Sequence, residues 1–473
     1  MQSTVFKVLG GSLLTVAIVW ALVLAWWQSN DHQPERLELI LYLGALPLAL
    51  IGGYWLLRGF IEHLANDPKG VPVTSTLHVD DDPLAGRHAK TAAAERRFAL
   101  HLIDAFVTSA GGKSADEILA AIASGKRPEP NSRLVDRDGF PVFAAQVGEL
   151  DLAAMMDEVL ENHVGLTRFV EQSDVLRALA LLDAVLEQAC ASIATLLERH
   201  PGRIGLQVIW LIPAGWERAN FPELRAWLRT RDWAPVAEAD LDISLIPAVS
   251  DAEAMRQLDE VILEANRNPA DNDLIMLAAA ASAVDPQSIE SWEAGNILFT
   301  ARHQDRLIPG EGAAVLLLAT EKTRERLDAT DSAIISRVSL GIRDKSVHAA
   351  GRIGGSLIEQ LVTGLLDIRG IAASKVMAAV SDVDHRARHL TEMLEGLGAT
   401  FPHFDPIEDC LPTGTVNGAL APVGSLIALA CAREKVLAVD APVLCLSNQH
   451  DRERAVLLAM PCSPPVDPEP CSI

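Results

Sequence analysis

The sequence predicts an α/β body of two similar halves, preceded by a two-helix transmembrane hairpin. Three observations carry that expectation: two long apolar runs near the N-terminus, an alternation of strand-like runs with helical patterns beyond Arg97, and a second half that repeats this order in shorter form. At 473 residues, 49% of them apolar, the chain is long enough for a large core in two parts.

The hairpin comes first. Residues 8–27, "VLGGSLLTVAIVWALVLAWW", carry no charge, and about 20 such residues span a hydrocarbon core of about 30 Å. A second run, 37–57, holds Glu38 near one end, where a charge costs little, and Pro47 inside, which a membrane helix tolerates. Trp26, Trp27, Tyr54 and Trp55 stand at the ends as interface aromatics. No small-x-small cleavage site follows the first run, so a signal peptide explains less. Lys7 precedes the first span, Arg36 lies in the short connection, and Arg58 and Lys69 follow the second; the excess at the two ends biases both toward the cytoplasm, which predicts a multi-pass protein of a bacterial inner membrane with its soluble domain in the cytoplasm. The expected organisation is 1–60 for two membrane helices, 61–97 for a polar linker, 98–325 and 326–463 for two halves, and 464–473 for a tail.

The net charge of −23 and 5% aromatic content exclude a nucleic-acid surface, which needs clustered cations and stacking platforms. Cysteines at 190, 410, 431, 445, 462 and 471 form no CxxC pair; Cys462 and Cys471, flanking "SPPVDPEP", are the one pair spaced for oxidation. The 13 histidines make no HExxH or paired Cys/His spacing, so no metal and no cofactor is expected.

Along the body, "FALHLIDAFV" reads as a first strand and "TSAGGKSADEILAAIASGK" as a loop into a helix. Residues 176–199 have a long apolar helical face, "RIGLQVIWLIP" is strand-like, 251–266 is helical, and "NDLIMLAAAASAVD" follows. Pro309-Gly310-Glu311-Gly312 reads as a tight turn, in which glycines accept positive φ. The run 313–319 has no polar alternation and is expected to be covered on both faces. In the second half, "SAIISRVSLGI" and "KVMAAVSDV" read as strands, 355–368 and 385–397 as helices, and "GTVNGALAPVGSLIALACAREK" as one Ala/Gly-rich helix, with two strands after it, "APVLCLSNQ" and "ERAVLLAMP".

From about Phe98 to Pro461 this order resembles the thiolase-fold β-ketoacyl synthases, through "VTSAGGKSADEILAAIASGK", "IPGEGAAVLLLA" and "NGALAPVGSLIALA". The resemblance implies a five-layered αβαβα fold and a homodimer. It also implies a cysteine at a strand-to-helix elbow, where a helix N-terminus lowers the thiol pKa, and two histidines that stabilise an oxyanion. The elbow matches "ISLIPAVSDAEAM", with Ala248 at the cysteine position and Ser250 two residues on. Ser381-Asp382-Val383 stand where the first histidine motif is expected. The second falls near Asn417 to Ala419, at Gly418, with no histidine, and "SNQHDRER" replaces the closing glycine-rich loop.

Among substitutes, Ser250 with Asp251 reads as an N-cap, and Asp382, Asp384 and His385 as acidic and polar residues opening a helix. Cys190 and Cys431 are expected as small core residues, and Glu311 as an acceptor for turn amides. Thr413-Gly414-Thr415 makes no Walker-type loop. The expected protein is a membrane-anchored pseudo-enzyme that binds protein partners. Similar degenerate synthase-like proteins of type VI secretion gene clusters point to an adaptor for effector loading. The alternative is an active acyltransferase or synthase acting on acyl thioesters near the membrane.

Overall fold

The computed structural model describes Trp26 and residues 92–200, 202–269 and 274–462. Apart from Trp26, the expected membrane helices lie outside the described residues, as do most of the linker, the tail and Cys471.

The first half supplies β1 (Ala99–Ser109), a side hairpin of β2 (Glu129–Val135) and β3 (Pro141–Ala144), then β4 (Leu206–Ile212), β5 (Leu241–Pro247), β6 (Leu274–Ser282) and β7 (Glu311–Ala319). The second supplies β8 (Ala333–Ser336), β9 (Ser339–Ile342), β10 (Ala378–Ser381), β11 (Cys410–Pro412), β12 (Val443–Ser447) and β13 (Glu453–Pro461). Without the hairpin and β9, which pairs beside β13, the strand order is β5-β4-β6-β7-β1 in one half and β11-β10-β12-β13-β8 in the other. Counted within its own half, each sheet therefore reads 3-2-4-5-1. In each, the fifth strand is antiparallel to both neighbours while the second, third and fourth pair in parallel. The halves join where β1 pairs antiparallel with β8. Identical order and identical direction are what a duplicated unit produces.

Helices layer these strands. α1 (Ala115–Ala123), α2 (Ser173–Arg199), α3 (Asp251–Arg267), α4 (Ser356–Arg369), α5 (Ala387–Gly398) and α6 (Gly424–Val439) set the stack. α2 lies on the outer face of β1, β6 and β7, burying Leu179, Leu182, Val185 and Leu186; each such side chain contributes about 1.5–3 kcal/mol relative to exposure. Among the described residues α2 is the helix long and apolar enough to cross a membrane, and its apolar face is spent on the sheet. α3 and α6, with α1, fill the layer between the halves, where Ala254, Ala428, Ala430 and Ala432 keep side chains short and let helices approach. α4 and α5 cover the outer face of the second half. Every residue of β7 is buried, because helices cover both its faces.

Two expected elements differ. "SAIISRVSLGI" divides into β8 and β9, because Asp259 accepts the Val338 N–H at 2.8 Å and pairs with Arg337, drawing the chain out of the ladder. The single Ala/Gly-rich helix is instead a short turn, Gly414–Asn417, followed by α6. Gly418 breaks it at φ +68°, a region that favours glycine.

Candidate functional site

A strand-to-helix elbow forms at the segment matched by the resemblance. β5 ends at Pro247, the Ala248 N–H donates to the Ile212 carbonyl at 2.9 Å, and Ser250 caps α3 by accepting the Glu253 N–H at 3.1 Å. Ala248 is fully buried, with a methyl group where a nucleophile would sit. Asp251, the first residue of α3, turns inward and accepts the Ser425 N–H at 2.8 Å. Its carboxyl thus bridges the N-termini of α3 and α6. Burial, then the charge of Asp382, raises its pKa to about 8.

The matched histidine positions are closed as well. Ser381 ends β10 and donates its hydroxyl to Asn448 Oδ1 at 2.9 Å. Asp382 does not open a helix as expected, since α5 begins only at Ala387. Its carboxylate instead accepts the Ser447 hydroxyl and, at 2.9 Å, the Asn448 N–H. Burial raises its pKa to about 6 against those hydrogen bonds. Asp384 is likewise turned back, onto Arg386 at 2.9 Å, and His385 packs edge-on to Phe299. Gly418 faces the Ile308 and Pro309 carbonyls so closely that any Cβ would strike them. Ala248, Asp251, Ser381 and Asp382 are at most 2% exposed.

The glycine-rich motif at 309–312 is not the tight turn expected. Pro309 bridges to Ala419, Gly310 bridges to Ala145, and Glu311 and Gly312 already belong to β7. Neither glycine has positive φ; they are needed for close approach. A Cβ on Gly310 would overlap the Asn417 carbonyl, and one on Gly312 would lie 2.8 Å from the Thr108 carbonyl oxygen. Glu311 does not hold turn amides either. Fully buried, it receives a two-pronged ion pair from Arg177 at 2.6 and 2.7 Å, the Val147 N–H at 2.8 Å and the Ser282 hydroxyl at 2.9 Å. Thr413 and Thr415 bond carbonyls, at Ser381 and Pro412, rather than facing an anion.

In place of the glycine-rich closing loop, "SNQHDRER" sends Arg454 into the core. Its guanidinium reaches Glu392 at 2.6 and 2.9 Å, and Arg343 reaches the same carboxylate at 2.5 Å. No local pattern marks this triad, because its members come from three separate segments. Nor do the described thiols supply a nucleophile at the elbow. Burial pushes Cys190 and Cys410 up to about 12 and 11, and Cys431 and Cys445 upward too. Cys462 lies just past the end of β13, partly exposed, with its sulfur 3.5 Å from His101 Nδ1, while His101 Nε2 meets the Glu321 carboxylate. A cleft of about 580 Å³ opens elsewhere, between the β2–β3 hairpin and residues 293–303, lined by Arg137, Phe140, Phe143, Phe299 and His303.

No family model and no curated protein matches the chain by sequence. Solved structures match by shape. A type II polyketide ketosynthase, solved with its acyl-carrier protein, superposes with TM-score 0.52 at 12% identity over 78% of this chain and 100% of its own. The body has the ketosynthase fold. The ishigamide ketosynthase/chain length factor gives 0.51 at 14% identity (78% and 100%). The module 6 ketosynthase of the Bacillus subtilis bacillaene synthase gives 0.51 at 13% (77% and 72%). The thiolase-like architecture expected from the sequence is therefore present, in a mixed sheet, and identity this low speaks to fold alone.

Proposed function

We propose that this chain is a ketosynthase-fold protein without condensing activity, anchored to a bacterial inner membrane with its body in the cytoplasm, and acting by binding protein partners. One observation carries the reading: at the elbow Ala248 is sealed, and amides at both helix N-termini are taken, the Glu253 N–H of α3 by Ser250 and the Ser425 N–H of α6 by Asp251. An oxyanion site requires those amides free. An adaptor for effector loading in type VI secretion is the concrete form of the proposal, with a homodimer as the working assembly. The test is purification of the tagged full chain from gently solubilised membranes. A partner in fixed stoichiometry, retained by Ala248→Ser and Ser250→Ala variants, supports binding as the role. Recovery of the chain alone counts against it.

A second reading, an acyltransferase with a displaced nucleophile, draws on Cys462, His101 and Glu321. The chain thiol, imidazole, carboxylate has the order of a nucleophile, its base and an orienting group. Two features weaken it: the Cys462 thiol hydrogen points to the Ser332 carbonyl at 2.9 Å, and burial lowers the basicity of His101. At Ser250 the hydroxyl donates to Glu453 Oε2 at 3.3 Å, and His450 Nδ1 lies 3.7 Å from the same oxygen, so the serine's hydrogen-bond partner is a carboxylate.

A further inference from the structure

We propose that His348, His389 and Asp451 form a binding site for a divalent transition ion of the zinc type, at the rim of the second half. One ring nitrogen of each histidine and one carboxylate oxygen of Asp451 lie within 4.8 Å of one another, with His348 Nε2 3.2 Å from Asp451 Oδ1. Donors at bond lengths of about 2.0–2.2 Å around a tetrahedral ion stand roughly 3.4 Å apart, so a small inward movement completes the set.

The decisive feature is His389. Its side chain is fully buried, and its Nδ1 lies 2.8 Å from the Asn448 carbonyl oxygen, which can only accept. Nδ1 therefore carries the proton, and Nε2 presents a bare lone pair. That Nε2 is buried and has no hydrogen-bond partner. A buried acceptor left unpaired is costly, and an imidazole held through its other nitrogen by a carbonyl is the arrangement that orients a metal ligand.

The other two ligands come from the surface but are held. The carbonyls on either side of His348, at Val347 and Ala349, both accept from Arg388, at 2.9 and 3.0 Å. The Val347 N–H donates to the Asp451 carbonyl at 2.9 Å, tying the two loops together. Ring centroids of His348 and His389 are 5.6 Å apart and inclined at 66°, which lets two lone pairs converge. Of the neighbouring arginines, Arg386 is paired with Asp384, while Arg454 and Arg343 share Glu392. Two imidazoles with one carboxylate suit zinc and its neighbours rather than magnesium or calcium, and partial exposure of His348 and Asp451 leaves a coordination position for water or a partner's side chain. The three residues are separated by 41 and 62 positions, which hides the site from any search for local spacing.

The test uses the full chain in mild detergent, stripped of metal and titrated with Zn²⁺ against a chromophoric chelator, with Co²⁺ as a spectroscopic probe. The expected result is one equivalent of Zn²⁺, a visible Co²⁺ band, and affinity reduced about tenfold or more in His348→Ala and in Asp451→Ala, with melting of the metal-free variants unchanged. Both substitutions are at the surface, so folding is preserved even if His389→Gln destabilises the core. Zn²⁺ binding no tighter in the native chain than in the double variant overturns the proposal, as does stoichiometric binding that neither substitution weakens.

Discussion

Removing Arg177 strands the Glu311 carboxylate in the core, and the cost of that can be worked out. Glu311 is fully buried and Arg177 nearly so, and the pair is joined by two hydrogen bonds of 2.6 and 2.7 Å. Breaking a buried pair from one side costs about 3–5 kcal/mol, because the remaining charge loses its partner without regaining water. For a body of about 370 residues, an unfolding entropy of about 2.1 cal/mol/K per residue gives roughly 0.8 kcal/mol/K, so Arg177→Met should lower the melting temperature by about 4–6 °C. The double variant Arg177→Met/Glu311→Leu should recover only part of this. It removes both charges, but the Val147 N–H and the Ser282 hydroxyl still lose their acceptor, worth about 1–3 kcal/mol for the buried amide. The assay is calorimetry on the four members of the cycle. A melting temperature within about 1 °C of native for Arg177→Met would refute the reasoning.

Three further outcomes follow from the same geometry. Gly312→Ala places a Cβ 2.8 Å from the Thr108 carbonyl across the β1–β7 ladder and should destabilise by about 1–3 kcal/mol in a denaturant titration; a neutral result would mean that the strands separate freely there. Ser250→Ala removes the cap on the Glu253 amide, for a loss of about 1 kcal/mol in the same titration. Asp251 has a raised pKa, so the folded chain holds a proton that the unfolded chain has released, and stability falls as pH rises from about 4 through about 8. Asp251→Asn should flatten that slope by up to about 1.4 kcal/mol per pH unit, read from denaturation midpoints at several pH values, and an unchanged slope would place the proton elsewhere.

Much of the architecture was legible because burial on both faces leaves a plain mark. The run 313–319 carries no polar alternation, and it became an interior strand. The elbow at Ala248 was placed by the resemblance to the condensing enzymes, and the structure has there a strand that ends at Pro247 and a helix capped by Ser250. What stayed hidden depends on side chains meeting across the sequence. Glu311 looked like a turn residue because its partner, Arg177, lies 134 positions earlier on an apolar helix. Gly310 and Gly312 looked like turn glycines, since composition cannot distinguish a need for positive φ from a need for close approach. Asp382 and Asp251 looked like caps, and only the fold shows them buried and facing Ser447, Asn448 and Ser425. Cys462 and His101 are 361 positions apart, and their meeting follows from the β1–β8–β13 junction alone.

The most direct test of the central claim is covalent. The full chain, incubated with acyl-pantetheine thioesters of several lengths and examined by intact-mass spectrometry, should gain no acyl group and release no thiol above the rate of spontaneous hydrolysis. A stoichiometric adduct that disappears in Cys462→Ala or in Ser250→Ala would contradict the account and restore this protein to the enzymes.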